Sequence, residues 1–170
     1  MLSEKQIDPI IEKAFNDSAD FVEWFLNKTK FKGSDAKCVW SRSDHPWGRF
    51  TFNIREPKSG ELKEITRDSE TDVLIVFEES NSKRFALHIE NKLAEGHFTK
   101  YQPEMYKMRA ESWLRNNNYG DYSDFETILF SPLSFYKKNK DSAKAFDRYV
   151  SYEEASIFIP ELAENCIWPI

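Results

Sequence analysis

Two short stretches, Val73–Phe77 and Phe85–Ile89, are apolar at every position except His88. Side chains on a strand alternate between faces, so an unbroken apolar run predicts a strand covered on both sides. Glu79–Lys83 between them is rich in Ser and Asn and predicts a tight turn that folds the second strand back on the first. Upstream, Ile7, Ile10, Ile11, Ala14 and Phe15, then Phe21, Val22, Phe25 and Leu26, keep an approximate helical period over Ser3–Thr29. Asn16-Asp17-Ser18 can divide that stretch into two helices, with Ser18 capping the second.

The remaining pattern fills in around this hairpin. Ala36–Ser41 and Arg49–Arg55 read as strands separated by a loop at Ser43–Gly48, and Pro57–Gly60 turns the chain again. Glu61–Thr66 extends the meander, with Arg67-Asp68-Ser69 as an irregular lead-in. Past Lys92 come a helix capped near Thr99, a turn at Asn116–Asp121, and a buried strand at Phe125–Phe130. Ser151-Tyr-Glu-Glu154 is a capping box that opens a helix ending before Pro160, and Trp168 and Ile170 anchor the tail. The expected architecture is α/β: one domain over residues 1–170, with a mixed sheet of four to six strands and helices on both faces.

Composition narrows the setting. The aromatic share of 15% means that much of the core is Phe, Trp and Tyr. A net charge of −5 argues against a nucleic-acid footprint over the whole surface, so any such contact is local. The two cysteines, Cys38 and Cys166, are too few for a disulfide framework, and no charged segment followed by an apolar run opens the chain. The expected compartment is the reducing cytoplasm, and apolar runs of at most five residues leave nothing to span a membrane.

Chemistry concentrates at the ends of the hairpin. Asp72 heads the first strand, and Glu90-Asn91-Lys92 ends the second. Glu90 and Lys92 share a face, about 6.6 Å apart along the strand, and His88 shares it too. Antiparallel pairing brings Asp72 to Glu90. Two carboxylates about 4 Å apart repel by roughly 4 kcal/mol at an effective dielectric near 20, more than one Lys offsets. A hard divalent cation, Mg²⁺ or Mn²⁺, is the usual remedy and can also take phosphate oxygens as ligands. Lys92 then stands beside a metal-bound water, and metal-assisted phosphodiester hydrolysis follows. Taken alone, Glu-x-Lys is a common tripeptide and more often marks a solvated strand face; the apolar surroundings on both faces are what point to a site.

Asp72, Glu90-x-Lys92 one hairpin later, and Gln102-Pro-Glu-Met-Tyr106 on the following helix resemble the PD-(D/E)XK nuclease superfamily, in particular its branches with a Gln-x-x-x-Tyr motif. The resemblance covers Glu70–Tyr106, and more loosely extends to Ile159. It implies a restriction-endonuclease-like core, Asp72 and Glu90 as metal carboxylates, the Asn91 carbonyl as a further ligand, and Lys92 as water-activating base or electrostatic helper. Gln102 and Tyr106 become accessory residues, and a first-helix glutamate, Glu12 or preferably Glu23, joins the metal. Thr71 replaces the motif's Pro, and Pro103 places Gln102 in the first helical turn or just before it.

The implied partner is nucleic acid, with DNA first. Lys and Arg outnumber Asp and Glu over Lys92–Arg115 and Ser134–Val150, so Lys107 and Arg109 are expected to hold phosphates while Tyr101, Tyr106, Trp113 or Tyr136 stack on bases. His45, beside Trp47 in a loop, is expected to be mainly solvated. The sequence shows no separate recognition domain, so sequence specificity is expected to be either absent or supplied by a partner protein, and a homodimer is the expected form if both strands are cut. The competing class is a catalytically inactive module that binds nucleic acid or protein on the same fold.

Overall fold

Ser3 opens the first helix, α1 (Glu4–Asp17). Its hydroxyl accepts from the Gln6 amide, while the Gln6 side chain accepts from the Ser3 amide. The computed structural model describes residues 1–166, so Trp168 and Ile170 lie outside the described residues. Ser18 ends α1 and caps α2 (Ala19–Leu26), accepting from the Phe21 amide at 3.1 Å. The helical stretch therefore divides where the Asn-Asp-Ser sequence predicts.

The strands are β1 (Lys37–Arg42), β2 (Trp47–Arg55), β3 (Leu62–Glu70), β4 (Val73–Glu78), β5 (Arg84–Asn91), β6 (Asp124–Ser131) and β7 (Arg148–Ser151). Helix α3 (Gln102–Ser112) crosses between β5 and β6; α4 (Leu133–Lys138), α5 (Lys140–Ala143) and α6 (Tyr152–Ala155) follow. Five strands form a mixed sheet in the order β1-β4-β5-β6-β7, antiparallel from β1 to β5 and parallel from β5 to β7. The α/β class with a mixed sheet and flanking helices agrees with the hydropathy pattern.

Alternation along β4 explains its unbroken apolar run. Val73, Ile75 and Phe77 pack with Ile7, Ile11 and Phe25 of α1 and α2, while Leu74 and Val76 pack with Trp113 and Tyr122 on the other face. A third cluster gathers Tyr106 of α3 with Leu129, Phe135 and Phe146. Burying side chains of this size contributes about 1.5–3 kcal/mol each before chain entropy is set against it.

The meander expected from Glu61 needs correction. β3 runs through Arg67-Asp68-Ser69 without irregularity, and it pairs only with β2, in register from Trp47↔Glu70 to Arg55↔Leu62. β4 is already paired on both sides, by β1 and β5, so β3 has no edge of it to join. The ribbon's half-buried face, with Phe50 and Phe52, rests instead on Trp113 and Tyr101 around α3. The start of α3 also lies later than Thr99: Tyr101, at φ 69°, precedes Gln102 as the first helical residue. Pro103 lacks an amide N–H and must sit in the first turn, which fixes this boundary.

Candidate active site

The β4/β5 register pairs Val73 with Ile89, and one step further it carries Asp72 towards Glu90. The Asn91 amide donates to Asp72 Oδ2 at 2.9 Å, and both carboxylates are buried. Glu90 is 0% exposed. Its Oε1 accepts from Gln102 Nε2 at 2.8 Å and lies 3.0 Å from Lys92 Nζ. Its Oε2 is buried and makes no hydrogen bond of good geometry among the described residues; the nearby Tyr106 hydroxyl lowers the Glu90 pKa but is directed at the Ile89 carbonyl.

Gln102 reaches Glu90 because it is the first residue of α3, and its Oε1 also accepts from the Thr99 amide at 3.0 Å. Tyr106, one turn on, is fully buried. Its hydroxyl accepts from the Asp72 amide at 3.1 Å and donates to the Ile89 carbonyl at 3.3 Å, bracing the head of β4 against the end of β5. That position gives Tyr106 a bracing role and removes it from base stacking. Arg109 is 0% exposed, packs over the Tyr106 ring at 4.2 Å, and donates to Thr71 Oγ1 at 2.7 Å and to the Ser69 hydroxyl. It therefore cannot take a phosphate, contrary to the expectation from charge; Lys107 remains exposed. The small Thr71 hydroxyl that replaces the motif's Pro sits between Arg109 and His88, whose Nδ1 is 2.9 Å away.

Helix α1 contributes acids that the sequence reading did not select. Asp8 is fully buried, accepting from Asn91 Nδ2 at 2.8 Å, and Glu4 lies 4.0 Å from Lys92 and accepts from the Leu93 amide at 3.1 Å. Glu12 turns to the Ser41 and Ser43 hydroxyls, each at 2.6 Å. Glu23 lies on α2 and lines a separate groove with Asn27 and Lys37, because the break at Ser18 ends the continuous helix that would have aligned it with α1. One signal was legible: Asp8, Ile11 and Phe15 share the core-facing stripe of α1, an uncommon place for an unpaired acid. Asn91 is held through its side chain as well, since its amide oxygen accepts from the Tyr152 hydroxyl.

His45 is the other residue drawn in. At φ 56° it turns its ring between Asp8 Oδ2, at 2.7 Å, and Glu70 Oε1, at 2.8 Å, with Asp72 Oδ1 at 3.7 Å. The hydrogen bond to Asp8 raises its pKa to about 9, with further support from Glu70 and Asp72 against the opposing effect of burial, so the ring is an imidazolium at neutral pH. Burial pushes the Asp72 carboxyl well above its ordinary range, and the charges of Glu90 and Asp8 push it further. Burial also raises Glu90, against the pull of Lys92. For Lys92, burial acts downward but Glu90 and Glu4 outweigh it, so the ammonium is held charged. His88 moves the other way: burial and then Arg109 depress it, leaving a neutral ring.

No protein-family model, curated protein or solved structure matches this chain. What the site can do therefore rests on its own donor set. Glu4, Asp8, Glu70, Asp72 and Glu90 converge, and among the described residues His45, Lys92 and the buried Arg109 are their counter-charges. One atom each from His45, Glu70 and Asp72 lies within 4.8 Å of the others, but the protonated ring donates to Asp8 and Glu70 and has no lone pair to offer, so the carboxylates are the donors available to an ion. Hard oxygen donors and the unpartnered Glu90 Oε2 together fit a divalent cation such as Mg²⁺ or Mn²⁺.

Proposed function

We propose that this chain is a metal-dependent nuclease of the PD-(D/E)XK type that hydrolyses phosphodiester bonds in nucleic acid, DNA first. The observation that carries the reading is Glu90: a fully buried carboxylate with one oxygen bonded by Gln102 and Lys92 and the other without a partner. An uncompensated buried carboxylate oxygen is costly and is retained where something else binds it. The three antiparallel strands followed by a parallel crossover are compatible with a restriction-endonuclease-like core.

In this reading Asp72 and Glu90 hold Mg²⁺ or Mn²⁺, with the Asn91 carbonyl as a further ligand. The bound ion supplies Lewis-acid polarisation of the phosphate and a lowered pKa for water. The chain's own residues do the positioning. Gln102 fixes the rotamer of Glu90, Tyr106 and the Asn91 amide fix Asp72, and Arg109 stiffens Tyr106 from behind. Because Lys92 is held charged beside Glu90, it serves as an electrostatic donor to the incoming oxygen rather than as the proton acceptor. Free Cys38 and Cys166 suit a reducing compartment, and the cytoplasm is the setting this reading assigns. Among the described residues no helix is long and apolar enough to cross a membrane.

A binding module without hydrolysis is the second reading, and His45 favours it. Its imidazolium already bridges Asp8 and Glu70 next to Asp72, supplying positive charge from within the chain. Calorimetric titration with Mg²⁺ and Mn²⁺, alongside cleavage assays on single-stranded DNA, duplex DNA and RNA, separates the two. The nuclease reading expects divalent-ion binding that is lost in Asp72→Ala and Glu90→Ala, and metal-dependent cleavage lost in all three of Asp72→Ala, Glu90→Ala and Lys92→Ala. Wild-type protein that binds no ion and cuts none of these substrates rejects it.

A further inference from the structure

Trp47 breaks the pattern set by the other described tryptophans. Trp113 is buried, Trp40 packs against the same cluster, and Trp24 stacks on Phe21, whereas Trp47 is 61% exposed at the start of β2. It makes no ring contact with another aromatic side chain among the described residues. A single exposed indole is ordinary on a protein surface; what distinguishes Trp47 is that it lines two grooves at once.

Two grooves meet at this ring. One, of about 540 Å³, runs along Trp47, Arg67, Glu70, Lys100 and Gln102, and the other, of about 490 Å³, along Lys5, Asp44, His45, Trp47 and Glu70. Each touches the candidate active site, the first through Gln102, which donates to Glu90, and the second through His45, which lies beside Asp72. The acids along them already have cations: Asp68 with Arg49, Asp44 with Arg42, and Glu70 with His45. Lys5, Arg67 and Lys100 form no ion pair among the described residues, and the last two flank the ring of Tyr101. The two grooves thus offer three unpaired cations, although the chain as a whole carries −5 and Glu70 shares the one charge of His45 with Asp8.

From this we infer that the two grooves form one path for a single nucleic-acid strand: an unpaired base stacks on Trp47, and Lys5, Arg67 and Lys100 take the phosphates on either side of it. Aromatic platforms between cations are how sequence-neutral single-strand binding is built, because every base offers a π-face. A duplex keeps its bases stacked on each other and cannot offer one to Trp47 without melting. The inference rests on the nucleic-acid reading above and assigns it a substrate class, strands with unpaired bases.

The test is fluorescence anisotropy of the full chain with labelled oligothymidylate, oligouridylate and a duplex of the same length, all in a chelator so that no hydrolysis intervenes. Wild-type protein should bind at least one of the single strands more tightly than the duplex. Trp47→Ala should weaken that binding roughly tenfold, and Trp47→Phe should restore most of it. Replacing Lys5, Arg67 and Lys100 together by Gln should lower the logarithmic salt slope by about 2. Equal affinity for duplex and single strand, or Trp47→Ala binding as tightly as wild type, overturns the inference. Binding that depends on Trp47 but is never followed by cleavage in Mg²⁺ keeps this path and removes the hydrolytic reading. Full-rate cleavage of single strands by Trp47→Ala keeps hydrolysis and removes the path.

Discussion

The backbone amide of Asn91 donates to Asp72 Oδ2 at 2.9 Å, so the carboxylate at the head of β4 is held by the chain at the end of β5. Both partners are buried, and the bond pulls the Asp72 pKa down against the larger upward push of burial. Asp72 thus keeps a fixed orientation in surroundings that disfavour its charge, a common arrangement in sites prepared for a cation.

Glu90→Gln should separate stability from chemistry. The substitution removes a buried charge whose surroundings oppose it, while the Gln102 and Lys92 side chains keep a polar partner. Its melting temperature in chelator should match or exceed that of wild type, while divalent-ion affinity and cleavage are lost. A clear drop in metal-free stability would mean that Glu90 is held mainly for its pairing with Lys92.

Lys92→Ala should retain much of the metal affinity and lower turnover by roughly a hundredfold or more, the usual effect of removing one donor to developing charge. Single-turnover cleavage at saturating Mn²⁺ checks this. Cleavage at the wild-type rate would overturn the role given to the ammonium.

Tyr106→Phe should cost about 1–3 kcal/mol of stability, because it leaves the buried Asp72 amide and Ile89 carbonyl without their shared partner. Arg109→Ala should cost about 3 kcal/mol or more, since it removes a buried, hydrogen-bonded cation from between Tyr106 and Thr71. Denaturant unfolding measures both. Neither substitution should alter the salt slope of nucleic-acid binding, because neither side chain reaches solvent.

The two histidines should give opposite pH slopes to stability. For His45, with a folded pKa of about 9 against about 6.5 unfolded, the contribution is complete below pH about 6.5 and is lost as pH rises towards 9. For His88, whose folded pKa is depressed, the contribution is complete above pH about 6.5 and is lost as pH falls below it. Melting curves from pH 5 to 10 on metal-free wild type, His45→Gln and His88→Gln check the signs. The first variant should flatten the alkaline limb and the second the acidic one.

The hairpin of β4 and β5 was legible because its signals are local: apolar runs of strand length, a Ser/Asn turn, and polar residues at the strand ends. The same locality gave the break at Ser18 and the Ser151 cap, which accepts from the Glu154 amide at 3.2 Å. His45 was not legible in that way, and the apolar stripe of α1 marked Asp8 as buried without giving it a role, which comes from a contact of 2.7 Å between residues 37 positions apart. Arg109 was misread because a count of charges along a helix cannot distinguish the face turned inward. β3 was misplaced because pairing depends on which sheet edges remain open, and that is settled only when β1 takes the free side of β4.

The candidate site also has a consequence for synthesis. Its parts come from Asp8 in the first helix, His45 in a loop, Asp72 and Glu90 on the hairpin, Gln102 on the crossing helix, and Tyr152, whose hydroxyl fixes Asn91 from the start of α6. Chains emerge from the ribosome N-terminus first, and long-range contacts close last. A nascent chain carries every acid of the cluster well before Tyr152 appears, yet it lacks the brace that completes Asn91. In the hydrolytic reading, a growing polypeptide therefore gains its completed site only once Tyr152 has emerged and docked on Asn91.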